Sequence, residues 1–89
     1  MPAERVLVID DNEDDLTIHE RDLKRAGFDV VTARSGEEGL RVALSDWPVI
    51  VLTDLKMPHG NGYWLAREIK QNPLIRHIPL VVISGAHSM

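Results

Sequence analysis

The sequence predicts an α/β fold built on one parallel, doubly wound sheet. Two observations carry that prediction. Four short apolar runs, rich in β-branched residues, alternate with three amphipathic stretches of helical period. The runs are continuous rather than alternating, as expected of strands covered on both faces. A β-α-β-α-β-α-β order implies parallel strands joined by right-handed crossovers.

Each element has its own warrant. Residues 6–9, Val-Leu-Val-Ile, form the first strand. Asn12 can cap the helix that follows, with Asp15 three residues on, and Glu13, Asp14 and Asp15 favour its positive end. Leu16, His19, Leu23 and Ala26 recur at helical spacing, and Gly27 supplies the stop. Residues 28–33 read as the second strand. Ser35-Gly36-Glu37-Glu38 fits a capping box, with Leu40, Ala43 and Leu44 on the buried face of the helix behind it. Pro48 separates that helix from the third strand, residues 49–53. Residues 55–62 hold Pro58, Gly60 and Gly62 and read as a loop. A third helix over 63–71 buries Leu65 and Ile69 and ends at Asn72-Pro73. Pro79 introduces the fourth strand, residues 80–83, and Ser84-Gly85 begins a turn.

The bulk composition narrows the function classes. A chain of 89 residues argues for one domain, 1–89. A chain this short buries only about 60–65% of its unfolded surface, so its core is marginal. Fourteen acidic against ten basic residues give a net charge of −4, which argues against nucleic acid as the partner of this segment. With no cysteine, neither a disulfide framework nor a thiolate zinc site is possible. No leader and no long apolar stretch stands out, so the expectation is a soluble, cytoplasmic protein with no membrane partner.

The chemistry lies in a divided acidic constellation. Asp10 and Asp11 close the first apolar run, and Asp54 closes the third by way of Thr53. If both runs are parallel strands of one sheet, the three carboxylates meet at its C-terminal edge, where open α/β sheets bind ligands. Two carboxylates about 4 Å apart repel by roughly 1 kcal/mol in water and about 4 kcal/mol at an effective dielectric near 20. A hard, oxygen-seeking cation relieves that repulsion, and Mg²⁺ commonly bridges a few carboxylates to a phosphate. His19, His59, His77 and His87 show no metal-ligand spacing. Trp47, Tyr63 and Trp64 read as packing or rim residues, with Tyr63-Trp64 beside the loop where a partner could touch.

These residues resemble the receiver domain of two-component response regulators. The resemblance is carried by Val8-Ile9-Asp10-Asp11, by Thr53-Asp54-Leu55-Lys56-Met57-Pro58, by Gly60-Asn61-Gly62 and by Val82-Ile83-Ser84-Gly85, in the family's order and spacing. It implies a flavodoxin-like sheet of order 2-1-3-4-5, for which a receiver protein is itself a standard illustration. It also implies roles. Asp54 matches the phosphoacceptor, Asp10 and Asp11 the pair that holds Mg²⁺, and the backbone carbonyl of Lys56 a further metal ligand. Ser84 matches the hydroxyl that turns toward the phosphoryl group. The implied donor is a phosphohistidine on a sensor histidine kinase or a histidine phosphotransfer domain, whose specificity would lie mainly on the first helix.

The resemblance also sets out what these 89 residues lack. The family pattern continues with a fourth helix, a fifth strand ending in a lysine, and a fifth helix, so the expectation is an incomplete, truncated receiver that ends after its fourth strand. No residue here takes the lysine's role. Losing such a charged hydrogen bond, worth about 1.5–3 kcal/mol, would weaken phosphoryl retention or active-state bias roughly 10- to 150-fold. In the family order, strand 80–83 becomes an open edge that invites strand addition, so self-association or strand exchange is expected there. The main functional expectation is a phosphoacceptor module that assists its own phosphorylation without being a turnover enzyme. The alternative is a phosphorylation-independent assembly module that uses the open edge. A metal-dependent phosphatase with an aspartate nucleophile is disfavoured, because Lys56 stands where such enzymes place a second catalytic aspartate.

Overall fold

The computed structural model describes residues 3–83. Four strands, β1 (Arg5–Ile9), β2 (Asp29–Ala33), β3 (Ile50–Thr53) and β4 (Leu80–Val82), alternate with helices α1 (Glu13–Arg25), α2 (Gly36–Asp46) and α3 (Gly62–Gln71). All neighbouring strands are parallel, in the order β2-β1-β3-β4. The expected fold class and strand order are both found.

Burial follows the two-residue strand period. Leu7, Ile9, Ala33 and Val51 point to the face covered by α2 and α3, where Ala43, Leu65 and Ile69 meet them. Val6, Val8 and Val30 point the other way, toward Leu16 of α1. On that second face Ile50 and Leu52 of β3 are only partly buried. Thus α1 shields β1 and β2, and β3 lies largely beyond its reach.

Helix ends explain the boundaries. The Asn12 side chain accepts from the Asp15 amide at 3.0 Å, as its spacing implied. At the other end of α1, Gly27 adopts φ +100, its amide donates to the Lys24 carbonyl, and the Phe28 amide donates to the Leu23 carbonyl. This is a Schellman closure. It takes Phe28 out of β2, which begins one residue later than expected, and leaves Ala26 exposed as the C-cap. The Ser35 hydroxyl accepts from the Glu38 amide at 3.1 Å, whereas the Glu38 carboxylate accepts from Arg34 rather than closing back on Ser35. Trp47 ends α2 in the left-handed region, with its indole N–H on the Leu44 carbonyl. β3 accordingly starts at Ile50, one residue late.

Two differences bear on the core. The connection after α3 has no periodic pattern in the sequence, yet it buries Ile75 fully and Ile78 almost fully in the main core. β4 is one residue shorter than expected, and its Val81 and Val82 are 44% and 41% exposed. Among the described residues β4 has one strand neighbour, β3.

Candidate metal and phosphoacceptor site

The register of the sheet builds the site. Ile9 of β1 stands beside Thr53 of β3. The ladder continues one residue further, because the Asp54 amide donates to the Ile9 carbonyl at 2.9 Å. On the other side the Asp10 amide donates to the Ala33 carbonyl at 3.1 Å. Asp10 and Asp54 therefore lie side by side as the strands end, and Asp11 follows on the exposed turn into α1. Carboxylate oxygens of all three lie within 4.8 Å of one another.

The two central acids are buried and held in place. Asp10 is 4% exposed and Asp54 7% exposed. The Asn12 amide donates to Asp10 Oδ1 at 2.9 Å, and the Leu55 amide donates to Asp54 Oδ1 at 2.8 Å. No described residue donates to Asp54 Oδ2. Below it, the Thr53 hydroxyl is fully buried and donates to the Asp54 carbonyl at 2.9 Å. Burial is the main cause that pushes the Asp10 carboxyl above its ordinary range. The Asn12 amide opposes that rise, while the charges of Asp54, Asp15 and Asp11 add to it. A cation would reverse this balance, because the field that penalises a second and third anion is the field that attracts a positive ion.

The donor set fits a hard divalent cation. It is all oxygen, with no sulfur and no imidazole among its three side chains. Lys56 lies two residues beyond Asp54 in the loop between β3 and α3, with an exposed side chain. That loop is tied down at its base, where the Gly62 amide donates to the Leu55 carbonyl at 2.9 Å. Met57 plugs it into the core. Ser84, the expected hydroxyl, lies outside the described residues, as does His87. His19 is half-buried, and His59 and His77 are exposed; none joins the acidic cluster.

Some residues at this edge escaped the sequence reading. Arg34, just past β2, reaches across the rim to Glu13 at 2.6 Å, an exposed pair. Its spacing of 21 residues carries no local signal. His59 adopts φ 55 and Gly60 φ +99, so two consecutive loop residues occupy the left-handed region.

Comparison with known proteins agrees with this geometry. The model of the response regulator receiver domain matches residues 6–89. The chain belongs to that family, a class of phosphoacceptor signalling modules. Among curated relatives, it is 39% identical over 81 residues to response regulator PleD of Caulobacter vibrioides, covering 91% of this chain and 18% of that protein. It is 31% identical over 81 residues to the alkaline phosphatase synthesis transcriptional regulatory protein PhoP of Bacillus subtilis, covering 91% of this chain and 33% of the relative. The chain thus spans 18% of one of these relatives and 33% of the other. A solved N-terminal domain of a response regulator receiver protein from Methanoculleus marisnigri superposes with a TM-score of 0.85 at 33% identity, covering 88% of this chain and 63% of that one. A receiver domain protein from Clostridium thermocellum gives 0.84 at 33% identity, covering 96% and 68%.

Proposed function

We propose that this chain receives a phosphoryl group on Asp54 from a phosphohistidine, with Mg²⁺ held by Asp10, Asp11, Asp54 and the backbone carbonyl of Lys56. The observation that carries the reading is the convergence of three carboxylates, two of them buried, at the sheet's C-terminal edge. Unpaired, that cluster is costly; with a divalent cation it becomes a phosphate-accepting surface. Mg²⁺, when bound, supplies charge neutralisation for the incoming phosphoryl oxygens.

The chain's own residues supply the rest. The Leu55 amide fixes Asp54 through Oδ1 and leaves Oδ2 as the nucleophile. Attack by Oδ2 forms an O–P bond as the donor's P–N bond breaks, and the imidazole leaves with the bonding pair. The product is an acyl phosphate. Transfer of this kind needs positioning and charge balance more than acid–base help, and buried, hydrogen-bonded carboxylates provide positioning. Ser84 is the hydroxyl proposed to meet the phosphoryl group. The donor is a sensor histidine kinase or a histidine phosphotransfer domain, the setting is cytoplasmic, and the module turns over no substrate of its own. No described helix is long and apolar enough to cross a membrane.

A second proposed contact is at β4. Its Val81 and Val82 are exposed and it has one strand neighbour among the described residues, which supports self-association by strand pairing. Sedimentation should show a concentration-dependent dimer, and a monodisperse monomer at micromolar concentration would refute that contact.

The site itself is tested by Mg²⁺ titration. Wild type should bind one Mg²⁺, and Asp11→Asn should weaken binding about tenfold or more while the fold persists, because Asp11 is exposed and carries no core contact. Equal affinity in both proteins would remove Asp11 from the site.

A further inference from the structure

Two amides in the first turn of α2 donate to another element. A helix begins with amides that have no partner within it. The ladder of α2 starts with Gly39, which donates to the Ser35 carbonyl at 2.9 Å. Ahead of it Glu38 donates to the Ser35 hydroxyl, and the amides of Gly36 and Glu37 leave the helix. Gly36 donates to the Gly60 carbonyl at 2.9 Å and Glu37 to the His59 carbonyl at 3.0 Å. Both acceptors lie in the β3–α3 loop, and both residues hold the left-handed conformation that turns their carbonyls in this direction.

The contact is so close that it requires glycine. A Cβ on Gly36 would stand 2.1 Å from the Gly60 oxygen and 2.6 Å from its carbonyl carbon. A Cβ on Gly60 would press the Trp64 ring at 2.8 Å and the Glu37 amide at 3.1 Å. The far end of the same loop rests on the site, since a Cβ on Gly62 would meet the Asp54 carbonyl oxygen at 3.0 Å. The positive end of α2 favours acceptors at this point. The loop that carries Lys56 is therefore pinned at Asp54, at Met57 and at α2.

We infer that Gly36 and the Glu37 amide are positioning residues for the metal site, acting through the β3–α3 loop to hold the Lys56 carbonyl where Mg²⁺ can take it. The inference rests on the Mg²⁺ reading above. Mg²⁺ demands near-ideal octahedral geometry and tolerates little displacement of an oxygen ligand. Supporting contacts one step removed from a metal are typically worth 10- to 100-fold in affinity. A shift of the loop at its α2 end thus reaches the metal without altering any carboxylate.

The test compares Mg²⁺ affinity with thermal stability in the full chain. Gly36→Ala should weaken the Mg²⁺ Kd about tenfold. Glu37→Pro replaces one of the two donated amide hydrogens with a ring carbon that faces the His59 carbonyl, in the first helical turn where proline is tolerated. It should shift Kd in the same direction, and it serves if Gly36→Ala fails to fold. Val6→Ala, buried on the opposite face of the sheet toward the N-terminal end of β1, should lower the melting temperature and leave Kd unchanged. Amide exchange of residues 55–61 in metal-free protein should speed up in the two latch variants and not in Val6→Ala. Wild-type Kd in a folded Gly36→Ala or Glu37→Pro protein overturns the inference alone. Wild-type protein that binds no Mg²⁺, or binds it independently of Asp11, overturns the metal reading and the inference with it.

Discussion

The two faces of the sheet are built to different standards. On the α2–α3 side, Leu7, Ile9, Val51, Leu65, Ile69 and Ile75 are all essentially inaccessible and form one continuous core. On the α1 side, burial is complete only over β1, and it thins to half-buried Ile50 and Leu52 on β3. The loop that carries Lys56 sits on the closed side. The β3–α3 loop drops Met57 into that core and hangs from α2, while α3 is capped by Asn61 within the same loop. The fully packed core thus lies under this loop, and the half-buried strip lies on the opposite face of the sheet.

Matched truncations on the two faces should break this comparison if it is wrong. Leu7→Ala on the closed face should cost about 2–5 kcal/mol, a large part of a small domain's stability. Leu52→Ala on the open face should cost about 1–2 kcal/mol, because part of its side chain already meets water. Urea midpoints would measure both, and equal losses would show that the open strip is covered in solution.

The next effect is smaller and sits at the loop. The Asn61 side chain accepts from the Trp64 amide at 2.9 Å. Asn61→Ala should lower stability by about 1 kcal/mol. The same change at Asn12 should cost about as much, but only the Asn61 variant should speed amide exchange in residues 55–61. Equal exchange in the two variants would separate the α3 cap from the loop's order.

The smallest effect concerns charge. A carboxyl whose pKa is raised by folding contributes stability below its unfolded pKa and loses it as pH rises through the folded value. Asp10 is such a group, so its ionisation burdens the metal-free fold at neutral pH. Asp10→Asn keeps the acceptor for the Asn12 amide and removes the charge. It should raise the metal-free melting temperature at pH 7, with the gain fading as pH falls through the raised carboxyl pKa and gone below about 4. A variant less stable than wild type at pH 7 would contradict the burial argument.

Much of this was legible in the chain because it is written locally. Apolar runs gave the four strands, Asn12 and Ser35 announced their helices, and the acids that end β1 and β3 needed only a parallel register to meet. What escaped depends on distant contacts. Ile75 and Ile78 lie in a turn with no period to mark them. The glycine at position 36 reads as part of a capping box, and nothing near it in sequence announces Gly60. Trp47 in the left-handed region runs against the usual preference for glycine there, and its indole bond to Leu44 holds it.

Asp54 is the proposed acceptor. Intact mass after incubation with Mg²⁺ and a small phosphodonor tests it directly. One added phosphoryl group is expected with Mg²⁺, none with chelator and none in Asp54→Asn. The same mass increase in Asp54→Asn would place the chemistry elsewhere and contradict the account.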